Sequence, residues 1–192
     1  MGIRAAGTAD RNRTAPANKP GTLKLGGIAV ATGNHAGKTV VIGSDHRGFR
    51  LKEWLKRALK KRGWKVVDKG TYSPARVDYP IVMIKVAKEV GKTAGRRAVG
   101  IGICGSGVGA CIPAAKVAGV HPALCRTASS ARETRTHNNS NFLSLAADFT
   151  PPRRALAITE TWLASPFFTR PERDLPYLRR YIQTARLDRG RK

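Results

Sequence analysis

Acidic residues are scarce in this chain. Twelve Asp and Glu stand against 36 Lys and Arg in 192 residues, a formal net charge of +24. Cysteine is also scarce: Cys104, Cys111 and Cys125 form no C-x-x-C pair, which argues against a disulfide framework or a zinc module and fits a reducing compartment. No apolar run approaches the ~20 residues of a membrane-spanning helix, and the first stretch lacks the apolar core of a secretory signal. The expectation is a soluble, cytoplasmic protein with no membrane partner. Its length suits one compact domain that buries roughly 70% of its unfolded surface.

The missing acids point to anionic partners, but the basic excess is not concentrated. Residues 1–38 carry six bases and one acid, 39–150 twenty and seven, and 151–192 ten and four. No single basic tail explains the charge, and small anionic metabolites answer to it as well as a nucleic acid does.

The first 37 residues, rich in Ala, Gly, Thr, Pro and Arg, read as a mobile basic extension. A transit peptide is the other reading, disfavoured by the absence of an amphipathic apolar face. Beyond it, short β-branched runs at 40–43, 64–68, 98–103, 122–125 and 142–146 alternate with helical stretches. That alternation predicts an α/β fold, Rossmann-like and doubly wound, with a mostly parallel five-stranded sheet and helices on both faces. The predicted helices are 49–62, 80–90, one from near Gly109, 129–136, 153–164 and 175–186. Residues 38–165 form the expected domain, and 166–192 a helical segment packed on it or on a partner subunit.

In the helix at 49–62, Leu51, Trp54, Leu55, Ala58 and Leu59 mark one face while Arg50, Lys52, Lys56, Arg57, Lys60, Lys61 and Arg62 take the rest. A solvated outer helix gives this pattern, and aromatics are not interleaved with the charges as base stacking requires. Nucleic acid is therefore not the expected partner. GNHAGKT at 33–39 has one residue too few for a phosphate loop and leads into a strand rather than a helix. GIGICG at 100–105 lacks the acid that should follow about 20 residues on in a dinucleotide fold.

Ligands of an open α/β sheet collect beyond the carboxyl ends of its strands. Two loops lie there: Ser44-Asp45-His46-Arg47-Gly48, and Cys104-Gly105-Ser106-Gly107-Val108-Gly109. The glycine-rich backbone of the second can present converging N–H groups to an anion, and the same positive potential favours the thiolate of Cys104 as a base or nucleophile. Asp45, His46, His137 and Asn138 add a carboxylate, two imidazoles and an amide, so acid, base and oxyanion donors are all present. His35, His121, Cys111 and Cys125 read as structural.

IGSDHRGFRLKEWL, DKGTYSPARVDYP, GIGICGSGVG, ARETRTHNNSN and the TWL at 161–163 resemble, in order and spacing, the ribose-5-phosphate isomerase B and galactose-6-phosphate isomerase family, over Thr39 to Leu163. The resemblance implies interconversion of ribose 5-phosphate and ribulose 5-phosphate through an enediolate, without metal or cofactor. It also implies a homodimer, possibly paired into a tetramer, whose subunits share each active site. On matching positions Cys104 is the base, with Ser106 as the hydroxyl beside it. The amides of Gly105, Gly107 and Gly109 hold the enediolate, Asp45 and His137 assist ring opening, and His46, Tyr79 and Asn138 bind substrate. Since a helix leaving the carboxyl edge ends at the opposite one, His137 is expected far from Cys104 in its own subunit, serving the partner's site.

Several positions depart from the family. Asp148 stands where an arginine usually meets the phosphate, and its charge would repel a dianion. A Gly-Gly-Arg-His segment is replaced by FFTRPERDLPYLRR, in which Arg170 and Arg173, or else Arg179 or Arg180, are the candidates to compensate. Pro113 suggests that the helix after the glycine loop starts late enough to hold the proline in its first turn. Two other readings therefore stay open: the same chemistry on another sugar, a hexose phosphate or an unphosphorylated aldose, or a non-catalytic polyanion-binding member of the family.

Overall fold

A computed structural model describes residues 21–25 and 27–190, the side chains of residues 189 and 190 excepted. The chain runs β1 (Gly21–Leu25), β2 (Ile28–Thr32), β3 (Thr39–Ser44), α1 (Phe49–Lys61), β4 (Val66–Asp68), α2 (Tyr79–Gly91), β5 (Ala98–Cys104), α3 (Val108–Ala114), β6 (Pro122–Leu124), α4 (Ala128–Thr136), β7 (Phe142–Ala146), α5 (Pro152–Ala164) and α6 (Pro171–Arg186). Strands β3 to β7 form one five-stranded sheet in the order β4-β3-β5-β7-β6 with every pairing parallel, as the alternation predicted.

Both faces of the sheet are covered, so its central strands are apolar throughout. On one face Val40, Ile42, Ile101, Ile103, Leu143 and Leu145 pack against Leu51, Leu55 and Leu59 of α1 and Ala155, Ile158 and Trp162 of α5. On the other, Val41 and Phe142 meet Val82, Met83, Val86 and Val90 of α2 and Ala110 and Ala114 of α3. Gly100 and Gly102 of β5 leave room for the Phe142 ring, which a Cβ at either position would meet at 2.5–2.6 Å.

Four expectations change. Residues 21–25 and 28–32, assigned to the extension, pair as antiparallel strands, and Val30 joins Phe167, Leu178 and Tyr181 in a satellite core; residues 1–20 lie outside the described residues. The last helix starts at Pro171 rather than 175, because Asp174 accepts the amide hydrogens of Thr169 and Arg170 and fixes its first turn. Lys52, expected on the solvated side of α1, is fully buried and ion-paired with Asp68 at 2.7 Å and Glu53 at 2.9 Å. Pro113 lies in the last turn of α3, not the first. The glycine loop starts this helix immediately at Val108, and the rung the proline cannot donate falls one residue before the helix ends.

Candidate active site

The register of the sheet brings two loops together. Ser44 pairs with Ile103, so the ends of β3 and β5 are level, and the Asp45 amide donates to the Ile103 carbonyl at 3.1 Å. Asp45 is buried and its Oδ1 accepts the Gly48 amide at 2.8 Å, closing the turn into α1. A Cβ on Gly48 would lie 2.7 Å from the Ile103 carbonyl oxygen, so only glycine lets this turn rest on β5. His46, half-buried, directs Nδ1 at the Val77 backbone, 3.3 Å from its oxygen and 3.4 Å from its nitrogen.

Cys104 is the last residue of β5 and only 3% exposed. The chain turns through Gly107, whose φ of +81° favours glycine, and enters α3. The turn is pinned from below: Ser144 Oγ donates to the Gly107 carbonyl at 2.5 Å. The Gly107 amide, one of the three expected to hold an enediolate, donates to Cys104 Sγ at 3.2 Å, and Ser106 Oγ accepts the Val108 amide at 3.3 Å. The sulfur thus stands as a hydrogen-bond acceptor, the role a base requires. Tyr79 completes the wall, its ring 3.3 Å from where a Gly109 Cβ would stand.

The remaining candidates lie elsewhere. Phe142, at the start of β7, pairs with Gly100, and Ala146 pairs with Cys104, so the two edges of the sheet are about 13 Å apart at 3.3 Å per residue. His137 caps the C-terminus of α4, five residues before Phe142, and therefore belongs to the far edge, as topology anticipated. Its ring stacks on Tyr177 of α6 at 4.2 Å between centroids, tilted by 16°. Asn138 lines a hollow of about 420 Å³ at this edge with His121, Ser140, Arg180 and Tyr181. Arg170 and Arg173 open α6 here, away from Cys104. One chain therefore assembles Asp45, His46, Tyr79, Cys104, Ser106 and the glycines, and keeps His137, Asn138, Arg170 and Arg173 apart.

Sequence reasoning missed Arg47. Its guanidinium holds Asp148 through Nη2–Oδ2 at 2.5 Å and Nε–Oδ1 at 3.4 Å, and Asp148 raises the Arg47 pKa in turn, first through the hydrogen bond and then through its charge. The pair lies across Gly105, where a Cβ would come within 2.5 Å of Arg47 Nε. The carboxylate expected to repel a phosphate is therefore neutralised by a cation at the same mouth. No local signal could reveal a partner 101 residues away.

A family model described as Ribose/Galactose Isomerase matches residues 40–175. Ribose-5-phosphate isomerase B of Escherichia coli K12 is 38% identical over 130 residues, 68% of this chain and 86% of that protein. The crystal structure of ribose-5-phosphate isomerase B from Mycoplasma genitalium with bound ribulose-5-phosphate is similar at a TM-score of 0.74 and 34% identity, over 81% of this chain and 99% of that one. The Clostridium thermocellum ribose-5-phosphate isomerase B structure gives 0.73 and 36%, over 80% and 99%. With a family model matching more than half of its length and relatives this similar over most of theirs, the chain belongs to the ribose/galactose isomerase family.

Proposed function

We propose that this protein is an aldose–ketose isomerase interconverting ribose 5-phosphate and ribulose 5-phosphate. The observation that carries the reading is Cys104, a nearly buried thiol whose sulfur accepts a backbone N–H inside a cradle formed by Asp45, His46, Tyr79 and the glycine loop. Opening of the furanose exposes the aldehyde, with Asp45 and a His137 assisting. The Cys104 thiolate takes the proton from C2, the electron pair moves to the carbonyl oxygen, and the enediolate meets backbone amides of the 105–109 loop. The same thiol returns the proton to C1 while the O2 hydroxyl proton passes to O1, leaving a hydroxymethyl group at C1 and the ketone at C2. Preorganised donors suit this step because charge develops on the oxygen only as the C–H bond breaks. The thiol and the amides supply base and oxyanion stabilisation, so the step calls for neither metal nor cofactor.

The catalytic unit is 38–165, working in the cytoplasm as a homodimer. His137 and Asn138 of one subunit complete the Cys104 site of the other, and 166–192, with Arg170 and Arg173, braces that second half. Exposed Tyr79, Ile81, Val108 and Ile112 on α2 and α3 supply apolar surface for a second copy. The Arg47–Asp148 ion pair cancels the carboxylate's charge at the mouth, which removes the repulsion expected against a phosphorylated sugar. The deciding assay measures turnover of ribose 5-phosphate beside free ribose, allose 6-phosphate and galactose 6-phosphate. Ribose 5-phosphate should be converted best by the parent and not by Cys104→Ala; an inactive parent, or an active variant, rejects the reading.

A further inference from the structure

The cationic residues of α1 do not simply face solvent. Between α1 and the turn from β7 into α5 lies a hollow of about 590 Å³ lined by Arg47, Arg50, Trp54, Arg57, Asp148 and Phe149. A second hollow of about 490 Å³ shares Trp54 and Arg57 and continues along Lys61, Arg62 and Arg153. Together they follow the 13 residues of α1, a path of about 20 Å at 1.5 Å per residue. Asp148, the acid that lines them, is paired with Arg47, and Arg62 is paired with Glu160 of α5. Arg50, Arg57, Lys61 and Arg153 are exposed and have no carboxylate within 4.0 Å among the described residues.

Two aromatic rings stand among these cations, which the sequence could not show because they come from different elements. Phe149 is 60% exposed, and the Arg126 guanidinium lies 5.6 Å from its centroid. Trp54 is half-buried, resting on the core and bordering both hollows. A groove of unpaired cations punctuated by ring faces is the arrangement that holds a sugar-phosphate backbone and stacks its bases. A bilayer would require an apolar face, but Leu51, Leu55 and Leu59 of α1 point into the core. We propose that the groove between α1 and the β7–α5 turn binds single-stranded nucleic acid. The inference does not depend on the isomerase reading, and it gives part of the +24 charge a use.

The test is fluorescence anisotropy of the full chain with a labelled 12-nucleotide oligo-uridine, a DNA duplex of equal length and phosphatidylserine vesicles, over a range of salt. The single strand should bind tightest. Phe149→Ala, which leaves the charge unchanged at an exposed site, should weaken it about tenfold by removing a stacking platform. Arg50→Glu with Arg57→Glu should lower the slope of log K against log salt by about 1.4, at about 0.7 per phosphate contact. The same charge change made by Lys88→Glu with Arg97→Glu, both exposed and away from the groove, should leave the slope unchanged. Equal losses from the two charge-reversed pairs would mean diffuse attraction with no site. Parent-like binding by Phe149→Ala, or preference for vesicles or duplex, would also overturn the proposal. Arg57→Glu alone keeps the test decisive if the double variant does not fold.

Discussion

The two edges of the same parallel sheet are built on opposite plans. At the carboxyl edge Cys104, Gly105, Gly107 and Gly109 work largely through backbone, and the buried carboxylate of Asp45 is spent on an amide. At the amino edge long side chains converge instead. His35 and Lys38 are buried beside Arg135, which is fully buried and, among the described residues, bonded to neutral oxygens, Asn139 Oδ1 at 2.7 Å, Ser140 O at 2.9 Å and Gly33 O at 3.1 Å. The first edge places polar atoms with small residues and tolerates little added bulk. The second gathers positive charge with no carboxylate within 4.0 Å of Lys38 or Arg135 among the described residues, and is closed by the hairpin and α6.

Removing the thiol should produce the largest difference between the edges. Cys104→Ala should lose about 10³-fold or more in turnover of ribose 5-phosphate, within the range assigned to a positioned base, with an unchanged circular dichroism spectrum. An equal loss in Cys111→Ala, checked in the same assay, would remove the distinction between the two cysteines. His137→Ala should also be inactive, although it alters the opposite edge. If the edges meet across a dimer, mixing the two inactive variants under subunit exchange should restore about a quarter of parent activity, since half the dimers are mixed and each holds one intact site of two. A dead mixture, with exchange verified by native mass spectrometry, would return each site to a single chain.

A smaller effect is expected from α6. Tyr177 touches the His137 ring and nothing proposed to touch the sugar. Tyr177→Ala should lower kcat about tenfold at most, the worth of one stacked pair, with KM little changed. Tyr177→Phe should restore it, whereas a merely structural loss would lower the melting temperature and leave kcat per folded molecule intact.

How legible each edge was follows from the range of its interactions. The strands of the main sheet were readable because β-branched runs mark buried parallel strands, and the glycine loop because its chemistry is contiguous. The hairpin carried its own signal, two five-residue runs around Gly26-Gly27, with Gly27 at a φ of +76°, but composition outweighed it. Lys52 looked solvent-facing because Asp68 lies 16 residues away, and Asp148 looked repulsive because Arg47 lies 101 away. Charge pairing of that kind belongs to the fold, not to any local pattern.

The effect that isolates the amino edge is the pH dependence of stability. Burial, aided by the charge of Arg135, pushes the Lys38 ammonium down to about 7, and its Nζ lies 3.1 Å from His35 Nδ1. Burial, Arg135 and Lys38 likewise hold His35 well below 6.5, and burial lowers Arg135 to about 9. In the unfolded chain Lys38 keeps its proton to about 10.5. Between about 7 and 10.5 the unfolded state therefore binds more protons, and stability rises with pH by up to about 1.4 kcal/mol per unit from this one site. As the pH falls the gain is lost, fully by about 7, and His35 extends the loss below 6.5. Lys38→Met keeps most of the buried stem and removes the proton, so its melting temperature should change less than the parent's between pH 7 and 9. Equal slopes for the two proteins would show that Lys38 keeps its charge in the fold, and that the amino edge holds a counter-ion as the Lys52 site does.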